Sequence, residues 1–395
     1  MSQLKIAIVI ERIETWRGGA ETSTMELARL LADRGHEVHV VTSSRSPSPP
    51  DLVIHSIPTS TVLRPMRTAA FTRKASALFE RESFDIIHSV VPLPRADFYQ
   101  PRGGLLRETL ERNVAMRTTK SRRLFKRALA RLNVKQQSLS DLERTVFEPD
   151  GPGILAVSQY VARQCEKHYG VTPPRVRVVF NGVVIPGESA DRRTEDRRAI
   201  RSQYRVSDET LVLLFVAHNL RLKGMDSLIA ATDKLVKSGV DDFVLLVVGR
   251  DNPVRYNKRV EDLRLTRHVI FTGPTQRVGA FFHAADACVH PTYYDPCSRV
   301  VLEALARGLP CITTRFNGAA EVMTDGGEGF ILEAPDSVAE LAERIAALRS
   351  SDLRRRMSER AFGLRDQISM ERHVVELEAV FKDVVARRGR AKSAC

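Results

Sequence analysis

Five cysteines and a single tryptophan are all that 395 residues contain of either type. Cys165, Cys288, Cys297, Cys311 and Cys395 are odd in number and form no CxxC or other metal-ligand spacing, which excludes a disulfide scaffold and argues for a reducing, cytoplasmic setting. No apolar run approaches the roughly 18 residues that cross a bilayer. The stretch Ile6 to Ile10 is cut short by Glu11 and Arg12, too soon for a secretory leader. No two aspartates stand at DxD spacing, and no GxGxxG follows the first strand, so neither a diphosphate-bound metal nor a dinucleotide cofactor is expected.

Acidic residues are scarce in one place. The formal charge is +13, and from Arg112 to Ser140 there is no Asp or Glu, while Arg112, Arg117, Lys120, Arg122, Arg123, Lys126, Arg127, Arg131 and Lys135 accumulate. Arg387, Arg388, Arg390 and Lys392 in the tail supply the remaining excess, and the rest of the chain balances. Such a bias predicts anionic company: nucleic acid, a membrane surface or phosphorylated substrates. Leu124, Phe125, Ala128, Leu129 and Leu132 give the basic segment one apolar helical face. That pattern favours an anionic membrane surface over nucleic acid. A solvated basic helix packed on its own domain is the plainer alternative.

What is abundant is alternation. Short continuous apolar runs, the mark of parallel strands buried on both faces, recur at Leu4 to Ile10, Glu37 to Thr42, Leu52 to Ile57, Phe84 to Ser89, Gly153 to Ser158 and Arg175 to Phe180. A helix over Ala20 to Asp33 stops at Gly35. The pattern restarts at Leu211 to Ala217, Val244 to Gly249, Val269 to Thr272, Ala287 to His290 and Pro310 to Thr314, with a helix from Gly224 to Lys237. The expected fold is α/β: two doubly wound, Rossmann-like domains with a cleft between them. Residues 1–183 form the first domain with its basic insertion at 112–140, and a polar, charge-dense stretch at 184–202 reads as a linker. Residues 203–368 form the second domain, and 369–395 a C-terminal helix and basic tail.

Ligands of such sheets bind beyond the carboxyl ends of the strands. Gly18 and Gly19 follow the first strand and open a helix, where a ligand can approach the backbone closely; a simple tight turn is the alternative. In the second half His218 and Asn219 end a strand, and Arg221 and Lys223 lie at the next helix start, where cations oppose the dipole unless an anion such as a diphosphate is bound. Asp295 is expected to cap a helix beginning at Pro296. Glu303 would then lie near the same face, about 12 Å further along the axis. Two carboxylates so placed could hold the two ends of one extended ligand, although a cap plus an unrelated glutamate accounts for them equally. Trp16, beside the glycine pair, could stack on a sugar or pack in the core.

Asp295-x7-Glu303 followed by Ala-Leu-Ala resembles the acid-x7-acid motif of retaining glycosyltransferases of the GT-B fold, the family 4-like and group 1 enzymes. Gly18-Gly19-Ala20-Glu21, Gly35-His36-Glu37-Val38, Asp85-Ile86-Ile87-His88, Ala156-Val157-Ser158 and Asn181-Gly182-Val183 are similar to that family's recurring segments, in the same order. Asp97-Phe98-Tyr99 and the basic stretch leading into Leu142 to Glu148 are similar to the glucosyltransferases of lipopolysaccharide core that act on heptose. The resemblance departs from the family in three places. Asp295 stands where Glu is commoner, His218 replaces the arginine usual five residues before the lysine, and Val90 replaces a second histidine after His88.

The resemblance implies a metal-independent hexosyltransferase using a nucleoside diphosphate sugar, UDP-hexose or UDP-glucose, as substrate and no cofactor. It implies a sugar hydroxyl of a membrane-associated glycolipid as acceptor, with retained configuration and a peripheral location at the inner membrane face. Lys223, Arg221 and Asp295 would be catalytic; Gly18, Gly19, Asn219, Ser298, Arg299, Val300 and Glu303 would bind the donor; Trp16, His88 and Asp97 would lie on the acceptor side. It also implies a C-terminal helix that returns to the first domain. Two other classes remain as alternatives: a basic nucleic-acid-binding protein, and a nucleotide-sugar-binding protein without transfer activity.

Overall fold

The computed structural model describes residues 3–14, 18–45, 49–59, 63, 66–117 and 133–393. The chain forms two units, Met1–Gly182 with Ser369–Cys395, and Val183–Ile368. The first holds β1 (Lys5–Val9), β2 (Glu37–Thr42), β3 (Val53–Ser56), β4 (Ile86–Ser89), β5 (Phe98–Tyr99), β6 (Gly153–Ala156) and β7 (Val176–Val178). These run parallel in the order β3-β2-β1-β4-β5-β6-β7. The second holds β8 (Leu211–Val216), β9 (Phe243–Val248), β10 (Val269–Gly273), β11 (Ala287–His290), β12 (Cys311–Thr314) and β13 (Gly329–Leu332), parallel in the order β10-β9-β8-β11-β12-β13. Each sheet therefore reverses its winding once, between β1 and β4 and between β8 and β11. In such sheets the strand ends at the reversal are where ligands bind.

One face of the first sheet buries Ile6, Ile8, Val38 and Val40 beneath the helix Gly19–Asp33 and the C-terminal helix Met370–Ser393. Met370, Val374, Leu377 and Phe381, spaced to share one helical face, are fully buried there. At about 1.5 to 3 kcal/mol for each buried side chain, that face contributes about 6 to 12 kcal/mol as an upper figure. Polar contacts fix its register. Glu378 accepts from Arg34 Nε and Nη2, both at 2.8 Å, and from His36 Nε2 at 2.8 Å, while His36 Nδ1 accepts from the Leu4 N–H at 3.2 Å. The Gly35-His36 turn is thereby tied to the C-terminal helix, which returns to the first unit as the resemblance implied. The other sheet face packs Val9 and Val41 against Phe71 and Ala75 of the helix Arg67–Leu78.

The stretch expected as a linker is largely not one. From Ala190 to Gln203 it is a helix capped by Ser189, whose Oγ accepts from the Arg192 N–H. It docks through ion pairs rather than an apolar stripe: Arg197 and Arg201 both bind Asp286, at 2.9 and 2.7 Å, and Asp196 receives Arg277 and His283. The chain leaves and re-enters the first unit at adjacent points. Val183 N–H donates to Ile368 O at 2.9 Å, and a Cβ on Gly182 would lie 2.5 Å from Ser369 O, so only glycine fits there.

The apolar stripe Leu124 to Leu132 lies outside the described residues. Of the basic residues that make up the excess charge, Arg112 pairs with Glu108 at 2.6 Å, Arg387 with Asp383 at 2.8 Å, and Arg388 with Asp97. These three described cations are paired within the chain. No described helix is long and apolar enough to cross a membrane.

Candidate functional site

The loops after β8 and β11 flank the reversal of the second sheet, and they are sewn together. Asn219 Oδ1 accepts from the Leu222 N–H at 3.0 Å and Asn219 O from the Lys223 N–H at 3.1 Å, closing a tight turn. Leu222 O then accepts from Tyr293 N–H at 2.9 Å and from Thr292 Oγ1 at 3.2 Å. Gly224 takes φ +92°, and a Cβ there would lie 2.1 Å from Pro291 O. A side chain would be both strained and blocked. The helix Met225–Lys237 begins directly after it.

This turn aims Lys223 at Asp295. Its Nζ donates to Asp295 Oδ2 at 2.6 Å and to Tyr294 O at 3.2 Å, with side-chain exposures of 19% for the lysine and 12% for the aspartate. Burial pushes the Asp295 carboxyl upward, but Lys223 and then His290 outweigh it and hold it well below the usual carboxylate range. His290, at the end of β11, places Nε2 3.6 Å from the same oxygen; burial lowers its pKa, so it is neutral at pH 7. Arg221 pairs with no carboxylate among the described residues, and its buried Nε has no hydrogen-bond partner there.

Asp295 is not the helix cap that its position before Pro296 suggested. The helix is Arg299–Ala306, and Ser298 caps it, its Oγ accepting from the Val301 N–H at 3.5 Å. Asp295 instead uses Oδ1 to accept from the Cys297 N–H at 3.2 Å and bridges to Asn317 by backbone bonds to Phe316 and Gly318. It therefore precedes the helix, and the two-turn separation from Glu303 along one helix does not hold. Glu303 lies on the half-exposed helix face with Arg299 and Val300, and Arg299 Nη2 donates to Glu303 Oε1 at 2.9 Å.

Sequence reading missed Asn317, which is 1% exposed. Its Oδ1 accepts from the Ser298 N–H and the Ala319 N–H, both at 3.0 Å, and its Nδ2 donates to Thr313 Oγ1 at 2.9 Å, joining the strand β12 to the start of the Glu303 helix. The Asn317-Gly318 pair after a buried strand is the signal that could have found it. His290 was missed too, because a histidine inside an apolar strand reads as core.

In the first unit, Gly18 is the residue before the Gly19–Asp33 helix and has an extended backbone; its carbonyl accepts from Thr22 N–H and Oγ1. Gly19 is the first residue of that helix, and Trp16 lies outside the described residues. Two residues expected on the acceptor side are otherwise engaged. His88 is fully buried on β4 with its ring 5.7 Å from that of Phe381, and burial, then Arg102, lowers its pKa to about 3. A histidine walled in by the returning helix meets no acceptor from solvent. Asp97 Oδ2 accepts from the Ile87 N–H at 2.6 Å while Oδ1 takes Arg388, so its carboxylate fastens β4 to the tail. Behind His88, Arg102 donates to His373 Nε2 at 2.8 Å, and His373 Nδ1 donates to Phe180 O at 2.7 Å, which fixes that imidazole as neutral.

Taken together, the second unit offers at its reversal a half-buried lysine and a buried aspartate, an arginine without a carboxylate among the described residues, and a short helix bearing Glu303. Such a set can bind a diphosphate by charge and hydroxyl groups by carboxylate. Family models agree with this division: "Glycosyltransferase Family 4" matches residues 17–185 and "Glycosyl transferases group 1" matches residues 196–363. The chain is 25% identical over 347 residues to the lipopolysaccharide glucosyltransferase WaaG of Escherichia coli, covering 87% of this chain and 90% of that one. The crystal structure of WaaG superposes with a TM-score of 0.80 at 23% identity over 95% of this chain and 99% of that one. It is also 26% identical to the N-acetyl-alpha-D-glucosaminyl L-malate synthase of Bacillus anthracis, covering 93% and 94% of the two chains. A structure of Anabaena HepE with UDP-glucose matches at TM-score 0.72 and 17% identity, over 98% and 100%.

Proposed function

With the chain identified as a GT-B glycosyltransferase that joins a family 4 domain to a group 1 domain, we propose that it moves a hexose from a nucleoside diphosphate sugar to a sugar hydroxyl of a membrane-associated glycolipid, with retained configuration and without a metal. The observation that carries this reading is the Lys223–Asp295 pair at the reversal of the second sheet, with Arg221 two residues before the lysine in the same turn. A diphosphate leaving group gathers negative charge as its bond to the sugar breaks. Preorganised cations where that charge develops stabilise the transition state more than the ground state. Lys223 and Arg221 supply them, and Asp295, beside the lysine, is the carboxylate for the sugar hydroxyls.

Double displacement in retaining glycosidases uses a carboxylate nucleophile about 5 Å from a second carboxyl group. Asp295 is held by Lys223 and by the Cys297 N–H, which makes it a poor nucleophile. A same-face substitution fits better. The anomeric carbon–phosphate oxygen bond breaks, the acceptor oxygen bonds to the same face, and the acceptor proton passes to the departing phosphate.

UDP-glucose is the first donor to test, because HepE binds it and WaaG is a glucosyltransferase. A glycolipid acceptor rests on WaaG, whereas the malate synthase relative shows that this architecture also serves small acceptors. Peripheral attachment at the inner membrane face rests on the basic segment 112–140. The test is a thermal-shift screen of nucleotide sugars followed by transfer assays with EDTA present. Donor binding with retained-configuration product in EDTA is the expected result. Turnover that needs an added divalent ion, or full kcat in Lys223→Ala at saturating donor, overturns the clamp.

A further inference from the structure

A second cluster of chemistry-bearing side chains lies in the first unit, on the sheet face that carries Val9 and Val41. In the parallel registers Lys5 stands beside Glu37, His39 beside Val53 and Val41 beside His55. Strand side chains alternate between faces, so Lys5, Glu37, His39 and His55 share one face. Glu82 approaches that face from the segment before β4, and Phe84 packs edge-on against the His39 ring.

Glu37 Oε1 lies 2.7 Å from His39 Nε2, and its carboxyl pKa is lowered, chiefly by this bond. His39 Nε2 therefore donates to the carboxylate, which turns Nδ1 toward the other two residues. His39 Nδ1 lies 2.7 Å from His55 Nε2 and 3.8 Å from Glu82 Oε1, and His55 Nε2 is 4.0 Å from Glu82 Oε2. Lys5 Nζ donates to Glu82 Oε1 at 2.8 Å. One atom from each of the three residues falls within 4.8 Å of the others.

We propose that His39 Nδ1, His55 Nε2 and Glu82 form a binding site for a divalent cation of the zinc class, with Glu37 as the carboxylate that orients His39. Two imidazoles and a carboxylate are the donor set of three-ligand zinc sites with an open fourth position. A carboxylate behind a ligating histidine is the arrangement that fixes such ligands. On binding, the His55 proton moves from Nε2 to Nδ1, and the two nitrogens separate from 2.7 Å to about 3.3 Å, the tetrahedral spacing. His55 and Glu82 have side-chain exposures of 22% and 29%, so they can make that adjustment and admit the ion. Two carboxylates, Glu37 and Glu82, face the single ammonium of Lys5. In the other candidate group among the described residues, Glu108, Glu111 and His168, Glu108 is bonded by Arg112, Lys167 and His168 together, whereas Glu82 has Lys5 alone at hydrogen-bond distance, so that group is the natural control.

The test is calorimetric titration of the untagged, chelator-treated full chain with Zn2+, followed by Co2+ absorption in the visible region. One ion per chain is expected, with affinity lowered at least about tenfold in His55→Ala and in Glu82→Gln, unchanged affinity in Glu111→Gln, and a tetrahedral Co2+ spectrum that His55→Ala removes. Absence of saturable binding below about 1 mM Zn2+ overturns the proposal. So does binding that His55→Ala leaves unchanged or that Glu111→Gln abolishes; the histidine pair is then a hydrogen-bonded strut. Circular dichroism of each variant separates loss of ligand from loss of fold.

Discussion

Replacing Asp295 by asparagine separates the two things Lys223 does. The lysine is bonded to Asp295 at 2.6 Å in a largely buried setting. Removing the charge from one partner of a buried pair costs about 3 to 5 kcal/mol because the other is left uncompensated. The residual exposure of both side chains favours the lower end, about 3 kcal/mol. For a unit of this size each kcal/mol moves Tm by about 2 to 4 °C, so Asp295→Asn should melt about 6 to 12 °C lower. Binding of free nucleoside diphosphate should move the other way. The released ammonium gains a charge-assisted hydrogen bond to phosphate of about 1.5 kcal/mol or more, a tightening of about tenfold. UDP is the right probe, since it lacks the sugar that Asp295 itself would bind. The folded-state pKa of Asp295 is depressed, so the stability it contributes is present above its unfolded value and is lost as pH falls through the folded one. The Tm gap between wild type and Asp295→Asn should therefore close under acid. UDP affinity that is unchanged or weaker in a variant with a native circular dichroism spectrum would refute the competition between carboxylate and diphosphate.

Glu303→Gln should raise the donor KM about 10- to 100-fold with a smaller effect on kcat, the loss of one charged hydrogen bond to a hydroxyl, read by initial rates at varied donor. Gly224→Ala should unfold or misplace the Lys223 turn, since the left-handed backbone alone costs about 1 to 2 kcal/mol and the Cβ would lie 2.1 Å from Pro291 O; melts and UDP titration check it. Glu378, brought down to about 2 by its hydrogen bonds to Arg34 and then His36, stabilises docking of the C-terminal helix above its unfolded value of 4.5 and ceases to do so as pH falls toward 2. Acid titration followed by hydrogen exchange in residues 370–381 should show that helix loosening across this window. In Glu378→Gln the helix should be looser at pH 7 and indifferent to the same acidification.

Most of the two sheets was legible because a strand buried on both faces is a continuous apolar run, and Glu37–Thr42 and Ala287–His290 have the bounds their sequence predicts. β5 was not, since two residues carry no period, and β13 was hidden behind the turn-like Gly326-Gly327. The Ala190–Gln203 helix escaped because it turns Asp196 and Arg201 inward beside Ile200, so charge pairs take the place of apolar periodicity. At the site, Lys223 and Asp295 stood out singly, but their bond is a product of topology: they are far apart in sequence and meet because β8 and β11 are neighbours. Pro296 suggested a helix start that Ser298, held by Asn317, moves three residues later. His88 and Asp97 read as functional because the segments that hold them resemble the family's; here the returning helix covers one and its tail binds the other.

The return of the C-terminal helix also dictates an order of assembly during synthesis. The second unit is one uninterrupted stretch, Val183–Ile368, and can close its core once that stretch has emerged from the ribosome. The first unit begins earlier but finishes later, because Met370, Val374, Leu377 and Phe381 belong to its core. Ile6, Ile8 and Leu27 wait for the last part of the chain. Domains made first ordinarily fold first; in this protein the domain made first is completed last, and a chain truncated before Phe381 leaves the nascent first sheet with an open apolar face.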